Sequence, residues 1–386
     1  MKILLCTNIF ETTVNGPFYL PHWLLKINAL YPEHEVRIVT DDVKMASEKI
    51  YKININYPEN LKNYASILDN LPFYRACKNI KKEYDYDLVF FNIATLGVLS
   101  RLLLPKKTKI WGVIHAYHYI LPDRRNYNSY KGYFYYAYLE HGLERGVMRF
   151  FNRVFFCSDF TRHVFEKKFP SRVDKTHTLS QTIDIKNIPF NPIAINPSDT
   201  IKILFVKSNV LLGRIFILLD ALAQLTAYKF ELTMIGPNLF FEKEMRDKIA
   251  QIEKKSDSQT AITLNYLGPK PLSEVYAAMQ THHILCMPVH AEALGLANVE
   301  GLAHGISVVA TNVGGIPQVM DYGKNGWLVE ANDVASLKEG LKNCIECDAE
   351  ARLIIQHNAR QFVEEYFDYR KMLPYFVKFL NSEHLN

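Results

Sequence analysis

Short, nearly uninterrupted apolar runs recur along this chain and alternate with longer amphipathic stretches. KILLCTN (2–8), EVRIVT (35–40), YDLVFFN (86–92), KIWGVIH (109–115) and RVFFCS (153–158) read as a first series of strands, with a helical pattern over 18–31. A strand that is apolar at successive positions has no solvated face, so it must be covered on both sides. Asn191-Pro192 and Asn196-Pro197-Ser198-Asp199 then make a polar, turn-rich break. After it the alternation restarts with IKILFV (201–206), FELTMIG (230–236), ITLNYLG (262–268), HILCMP (283–288) and ISVVAT (306–311), and with helical patterns over 214–227 and 271–280. Helical patterns over 349–366 and 369–382 follow. Two such series predict two α/β domains, each a parallel sheet with helices on both faces. The expected division is a Rossmann-like domain over 1–190, a second over 200–365, and a helical segment, 366–386, crossing back to the first.

A chain of 386 residues with 48% apolar content is long enough for two cores. Its net charge of +5 is mild for that length and lacks the concentrated basic stripe that nucleic acid requires. Of the six cysteines, Cys6, Cys157 and Cys286 sit in apolar runs as small buried hydrophobes do, and CIEC (344–347) is a lone pair that reads as helix surface. MKILLCTNIFETT reads as a first strand and not as a signal peptide. No stretch approaches about 18 uninterrupted apolar residues, so a soluble, cytoplasmic protein is expected. No metal cluster is read: His282-His283 has no third ligand nearby.

Ligands of open α/β sheets bind beyond the carboxyl ends of strands, and with two domains the cleft between them is the expected site. Asn15-Gly16, His115, Lys207, Gly236, Glu292 and Gly314-Gly315 all follow strands and are the first candidates. HAEALGLANVEGLAHG (290–305) carries two carboxylates, Glu292 and Glu300, in an otherwise small or apolar run. The expected helix begins near Leu294 or Gly295. Eight helical residues rise about 12 Å, too far for a glycosidase acid/base pair, which stands roughly 5–9.5 Å apart. A long ligand with hydroxyl-rich ends and an anionic middle fits better, because the helix amino terminus favours an anion between the two carboxylates. Ribose hydroxyls would then partner Glu300. Ala293, Ala297, Gly301 and Gly305 recur every four positions, a stripe that serves helix–sheet packing or close ligand approach. Glu300 could equally pair with a buried His or Arg.

PVHAEALGLANVEGLAHGISVVATNVGGIP (288–317) resembles the E-x7-E signature of retaining GT-B glycosyltransferases of family 4. NGWLV (325–329), EVRIVT (35–40) and TIDIKNIPF (182–190) resemble further pieces of that family in the same order. The fold the resemblance implies is α/β GT-B, two Rossmann-like domains facing each other across a cleft. The function it implies is retaining transfer of a sugar from a nucleoside-diphosphate sugar to an acceptor hydroxyl, metal-independent and without a cofactor, in bacterial cell-surface glycan synthesis. Glu292 would meet donor-sugar hydroxyls, Glu300 the nucleotide ribose, and the amides of Leu294, Gly295 and Leu296 the diphosphate. His115 matches the family's amino-domain histidine beside the donor sugar. Gly16 stands where the family often has a second glycine near the diphosphate, and Gly236 is counted with the donor-binding residues.

One departure matters. The family carries an Arg and then a Lys after the strand that IKILFV matches; here Ser208 and Gly213 hold those positions, with Lys207 and Arg214 each one residue away. Either could neutralise the leaving diphosphate, and the bidentate fork of a guanidinium favours Arg214. Gln318 also replaces a family Glu. The stretch 118–151 is dense in tyrosine and basic residues, which suits a packed helix, a glycan or lipid-linked acceptor, or peripheral contact with the inner face of the cytoplasmic membrane. A nucleotide-sugar epimerase and a non-catalytic nucleotide-sugar-binding subunit are the alternatives. A dehydrogenase is not expected, since no G-x-G-x-x-G follows a strand.

Overall fold

A computed structural model of the chain describes residues 1–11, 16–55, 65–115, 138–139, 141–207, 213–236, 242–255 and 262–382. It divides into two compact units, Met1–Thr182 with Tyr369–Asn386, and Ile183–Asp368. The first holds β1 (Lys2–Cys6), β2 (Glu35–Thr40), β3 (Ile50–Lys52), β4 (Leu88–Phe91), β5 (Lys109–Ile114), β6 (Arg153–Phe156) and β7 (Thr176–Thr178). The second holds β8 (Thr200–Val206), β9 (Lys229–Ile235), β10 (Ile262–Gly268), β11 (Ile284–Met287), β12 (Ser307–Thr311) and β13 (Trp327–Val329).

Both sheets are parallel throughout, in the orders β3-β2-β1-β4-β5-β6-β7 and β10-β9-β8-β11-β12-β13. Each contains the doubly wound order of a Rossmann sheet, so each has one point where the winding reverses. That point lies between β1 and β4 in the first sheet and between β8 and β11 in the second. All residues of β4, β11 and β12 are buried, as their unbroken apolar runs require of strands covered on both faces. Three strands were not expected from the sequence: β3, β7 and β13. Each has three residues and each is a sheet edge.

The helices that matter below are α1 (Tyr19–Leu25), α2 (His141–Phe150), α3 (Ile215–Ala223), α4 (Leu272–Met279), α5 (Leu296–His304), α6 (Val334–Glu346), α7 (Ala349–Tyr366) and α8 (Tyr369–Ser382). The amino-terminal core gathers Leu4, Phe73, Phe91, Ile110, Phe151 and Phe156. α8 belongs to this unit: Phe376 packs on Phe90 and Trp111, and Tyr369 stacks on Trp23 with centroids 4.3 Å apart. The carboxy-terminal core gathers Ile203, Phe205, Leu218, Leu232, Cys286 and Leu341. Cys6, Cys157 and Cys286 are buried as expected; Cys344 is buried too, because it faces the core side of α6 and not the surface. No helix among the described residues is long and apolar enough to cross a membrane.

Two arginines, Arg352 buried and Arg360 half-buried, organise the carboxy-terminal unit. Arg352 donates to the carbonyls of Cys344, Ile345 and Cys347, which places a cation at the carboxyl end of α6, where the helix dipole is negative. Arg360 donates to Ile185, Ile188 and Ala303, so it ties the segment entering the unit to the end of α5. Charge-assisted hydrogen bonds of this kind are worth about 1.5–3 kcal/mol each, with strong non-additivity. Arg360→Ala is expected to destabilise the unit by roughly 3 kcal/mol. A urea midpoint unchanged from wild type would show that those three carbonyls do not depend on the guanidinium.

Candidate functional site

Lys207 directly follows β8, and its amide donates to the Ile235 carbonyl at the end of β9. Glu292 follows β11. These are the two strands that flank the reversal of the second sheet, and at their carboxyl ends the Lys207 ammonium is ion-paired with the Glu292 carboxylate. The side chains are 17% and 23% exposed, so the pair is reachable from solvent yet partly desolvated. Gly213, where the resemblance expects lysine, is crowded: a Cβ there would lie 2.5 Å from Phe205 Cζ and 3.1 Å from Lys207 Cγ, so the Phe205 ring would have to shift to admit one. The stem of Lys207 lies against that face of the glycine. Ser208 and Asn15 lie outside the described residues.

Arg214 goes elsewhere. It caps α3 in a left-handed conformation (φ 56°, ψ 41°), and its Nε donates to Asn332 Oδ1 at 2.8 Å. Asn332, left-handed as well, reaches His290 Nδ1 at 2.8 Å. Arg214 thus joins three loops, one of them the loop that carries Glu292. Gly236 follows β9; its amide donates to the Gly268 carbonyl and its own carbonyl accepts from the Tyr266 hydroxyl.

The loop over 291–295 is shaped by two glycines. Gly295 has φ 95° and ψ 58°, a region costly for other residues. The helix therefore begins at Leu296, later than the sequence pattern suggests. Gly315 is needed for space: a Cβ on it would stand 2.3 Å from the Ala293 carbonyl oxygen. Its own amide donates to the Glu292 carbonyl at 3.1 Å. Leu296 and Ala297 occupy the first turn of α5, where amides have no acceptor inside the helix, and both are half-buried. Leu294 precedes them and is buried.

Glu300 lies one turn further along and is 7% exposed. The hydroxyl of Tyr276, from α4, stands 3.5 Å from its Oε1. His304 does not pair with the carboxylate; its Nδ1 meets the Glu300 backbone carbonyl at 2.7 Å. The small-residue stripe serves packing: Gly301 faces Leu285, Ile306 and Val308, and Gly305 faces Phe190 and Pro192.

The corresponding point of the first sheet gathers His115, Asn92 and the Gly16–Phe18 turn. Asn92 Nδ2 donates to Thr7 Oγ1 and to the Pro17 carbonyl, leaving its Oδ1 to accept from His115 Nε2 at 3.1 Å. Gln181 Nε2 then donates to His115 Nδ1 at 2.7 Å. This pattern assigns the neutral Nε2–H tautomer. Burial pushes the ring's pKa down from the usual 6.5 to about 4, partly offset by the Asn92 contact. Because the folded value lies below the unfolded one, this ring's contribution to stability is complete above about pH 6.5 and is lost as pH falls towards 4. The His115 Cε1–H resonance is expected to stay unshifted from pH 8 to 5.5; a midpoint near 6.5 would show that the ring is not held this way. The aromatic-basic stretch 118–151 lies outside the described residues except for Tyr138, Leu139 and 141–151, and α2 within it packs Val147 and Met148 into the core.

The chain is similar to known proteins over most of its length. Residues 190–362 match the profile "Glycosyl transferases group 1", and residues 27–187 match "Glycosyltransferase Family 4". An uncharacterized glycosyltransferase of Methanocaldococcus jannaschii is 25% identical over 334 residues, 86% of each chain. A putative colanic acid biosynthesis glycosyltransferase of Salmonella typhimurium is 29% identical over 38% of this chain and 35% of its own length. Among solved structures, Anabaena HepE in complex with UDP-glucose superposes with a TM-score of 0.71 at 18% identity, covering 99% of this chain and 100% of that one. With two Rossmann-like sheets and both halves matched, the chain belongs to the glycosyl transferase group 1, family 4 glycosyltransferases, with the GT-B fold.

Proposed function

We propose that the chain is a retaining glycosyltransferase that takes its sugar from a nucleoside-diphosphate donor bound at the amino terminus of α5. The observation that carries this reading is the Lys207–Glu292 pair, set at the winding reversal beside the first-turn amides of that helix. Amides of Leu294, Gly295 and Leu296, with the helix dipole, suit a diphosphate. Lys207 supplies the cation that the leaving group needs. Glu292 accepts from hydroxyls of the transferred sugar, and Glu300, with Tyr276 at its side, accepts from the ribose. Arg214 braces the Glu292 loop through Asn332 and His290. His115 acts within its own unit as a positioning residue, holding the Gly16–Phe18 turn through Asn92.

In this reaction the bond from the anomeric carbon to the phosphate oxygen breaks, and the acceptor oxygen bonds to that carbon from the same face. The acceptor proton passes to the departing phosphate oxygen. Preorganised donors aimed at the developing charge lower the barrier without reorganising. The name of the Salmonella relative and that of a lipopolysaccharide outer core galactosyltransferase of the same fold support a cell-surface glycan as acceptor. UDP-glucose in HepE supports a UDP-sugar as donor.

The test is nucleotide release from UDP-, GDP-, ADP- and dTDP-sugars, with and without glycan or glycolipid acceptors, in EDTA and then with magnesium or manganese restored. Release with retention at the anomeric carbon, undiminished in EDTA, is expected, because helix-end amides and Lys207 replace a metal at the diphosphate. Activity abolished by EDTA and regained with metal would overturn metal independence. Tight binding of a nucleotide sugar with no turnover on any acceptor would favour a non-catalytic subunit.

A further inference from the structure

Asn298, the third residue of α5, is 1% exposed, and its Oδ1 is buried with no hydrogen-bond partner among the described residues. A buried amide oxygen is seldom left so, since each unmet group retains its full desolvation cost. The other end of the same amide faces the site. The point that a Cβ on Gly295 would occupy lies 2.9 Å from Asn298 Nδ2, 3.2 Å from Ile316 Cγ1 and 3.5 Å from Glu292 Cγ. Gly295 is left-handed and carries no side chain, so no side chain at that position stands between the amide head and the stem of Glu292. A helix amino terminus and an unsatisfied buried amide thus converge beside the stem of Glu292.

The chemistry of the amide selects the ligand group. Phosphate oxygens accept only, and would serve Nδ2 while leaving Oδ1 unmet. Neighbouring hydroxyls of a sugar ring both donate and accept. A half-turn about χ2 exchanges the two ends of the amide, so either can be presented to them. We infer that Asn298 is a specificity-determining residue that hydrogen-bonds hydroxyls of the transferred sugar alongside Glu292. This rests on the nucleotide-sugar reading above.

Calorimetric titration of the full chain with UDP-glucose and with UDP tests it, comparing wild type with Asn298→Leu, which keeps the branched outline of the side chain and removes both polar ends. Weakening of UDP-glucose binding by about tenfold, with UDP binding unchanged, is the expected result. Equal weakening of both ligands would make Asn298 a support for the loop or the diphosphate, and no weakening would make it a packing residue; either overturns the inference. Should the variant fail to fold, wild type decides with monodeoxy analogues of UDP-glucose. At least one must bind about tenfold more weakly than UDP-glucose, and equal binding by all of them overturns the inference. If wild type binds none of the UDP-, GDP-, ADP- and dTDP-sugars of the panel above, the nucleotide-sugar reading falls and this inference with it. Binding by wild type that Asn298→Leu leaves intact removes Asn298 alone.

Discussion

Lys207→Ala is expected to lower turnover on the native donor about a hundredfold or more, the range seen when one preorganised donor to a developing negative charge is removed. The ground for this is position. Lys207 lies at the strand end beside the winding reversal, ion-paired with Glu292, and its stem lies against Gly213, the position where the resemblance expects lysine. Removing the ammonium also leaves Glu292 without its cation next to an incoming diphosphate, so donor affinity falls as well. Lys207→Arg should recover part of the loss, since the charge returns with a different shape. Arg214→Ala should cost less, about tenfold, because its guanidinium is spent on Asn332 and acts on the site through a loop. Side-chain chemistry alone favours Arg214 for phosphate, but its left-handed backbone at the cap of α3 and its bond to Asn332 shift the assignment to Lys207. Steady-state kinetics on the three variants decides. A larger loss from Arg214→Ala than from Lys207→Ala would return the cation's role to the start of α3.

Much of the fold is legible in the chain because its strands are buried on both faces. LVFF and ILCM leave no polar register to confuse, and their alternation with helices implies parallel sheets. What escapes notice is the periphery. β3 (IYK) and β7 (THT) are three residues long, partly exposed and paired on one side only, so neither length nor apolarity marks them as strands. The start of α5 shifts for a local reason: glycine at position 295 reads as an ordinary helix residue until its positive φ is known.

The candidate site divides along the same line. The spacing of Glu292 and Glu300 is a short-range property and is visible at once. The Lys207–Glu292 pair spans 85 positions and the Arg214–Asn332 bond 118, and nothing local in either segment announces its partner. Asn92 and Gln181, which set the tautomer of His115, come from two further elements, β4's end and the segment after β7. Asn298 could have been suspected from its place, a polar residue among apolar neighbours in LANVEG, but only burial shows that its Oδ1 is unmet.

Gly315→Ala is expected to have the second largest effect, and for a purely steric reason. The backbone at this position, φ −86° and ψ −4°, suits any residue, so the substitution brings no conformational strain. The added methyl would stand 2.3 Å from the Ala293 carbonyl oxygen and 2.9 Å from Leu294 Cα. Both are backbone atoms of the loop that carries Glu292 into α5, so relief requires the loop itself to move, by about 1 Å to reach ordinary contact. A displacement of that size at a positioned group can cost about a hundredfold in rate. It would also stretch the bond from the Gly315 amide to the Glu292 carbonyl. The stability cost should be modest, about 1–3 kcal/mol, as for other overpacked sites. The same substitution at Gly142, near the start of α2, meets nothing within 4 Å and should leave turnover unchanged. There it should instead stabilise the helix by up to about 1 kcal/mol. The pair of variants therefore separates a misplaced donor loop from the general effect of replacing a glycine. Wild-type turnover in Gly315→Ala would mean that the loop tolerates the shift, and that the position of Glu292 does not govern transfer.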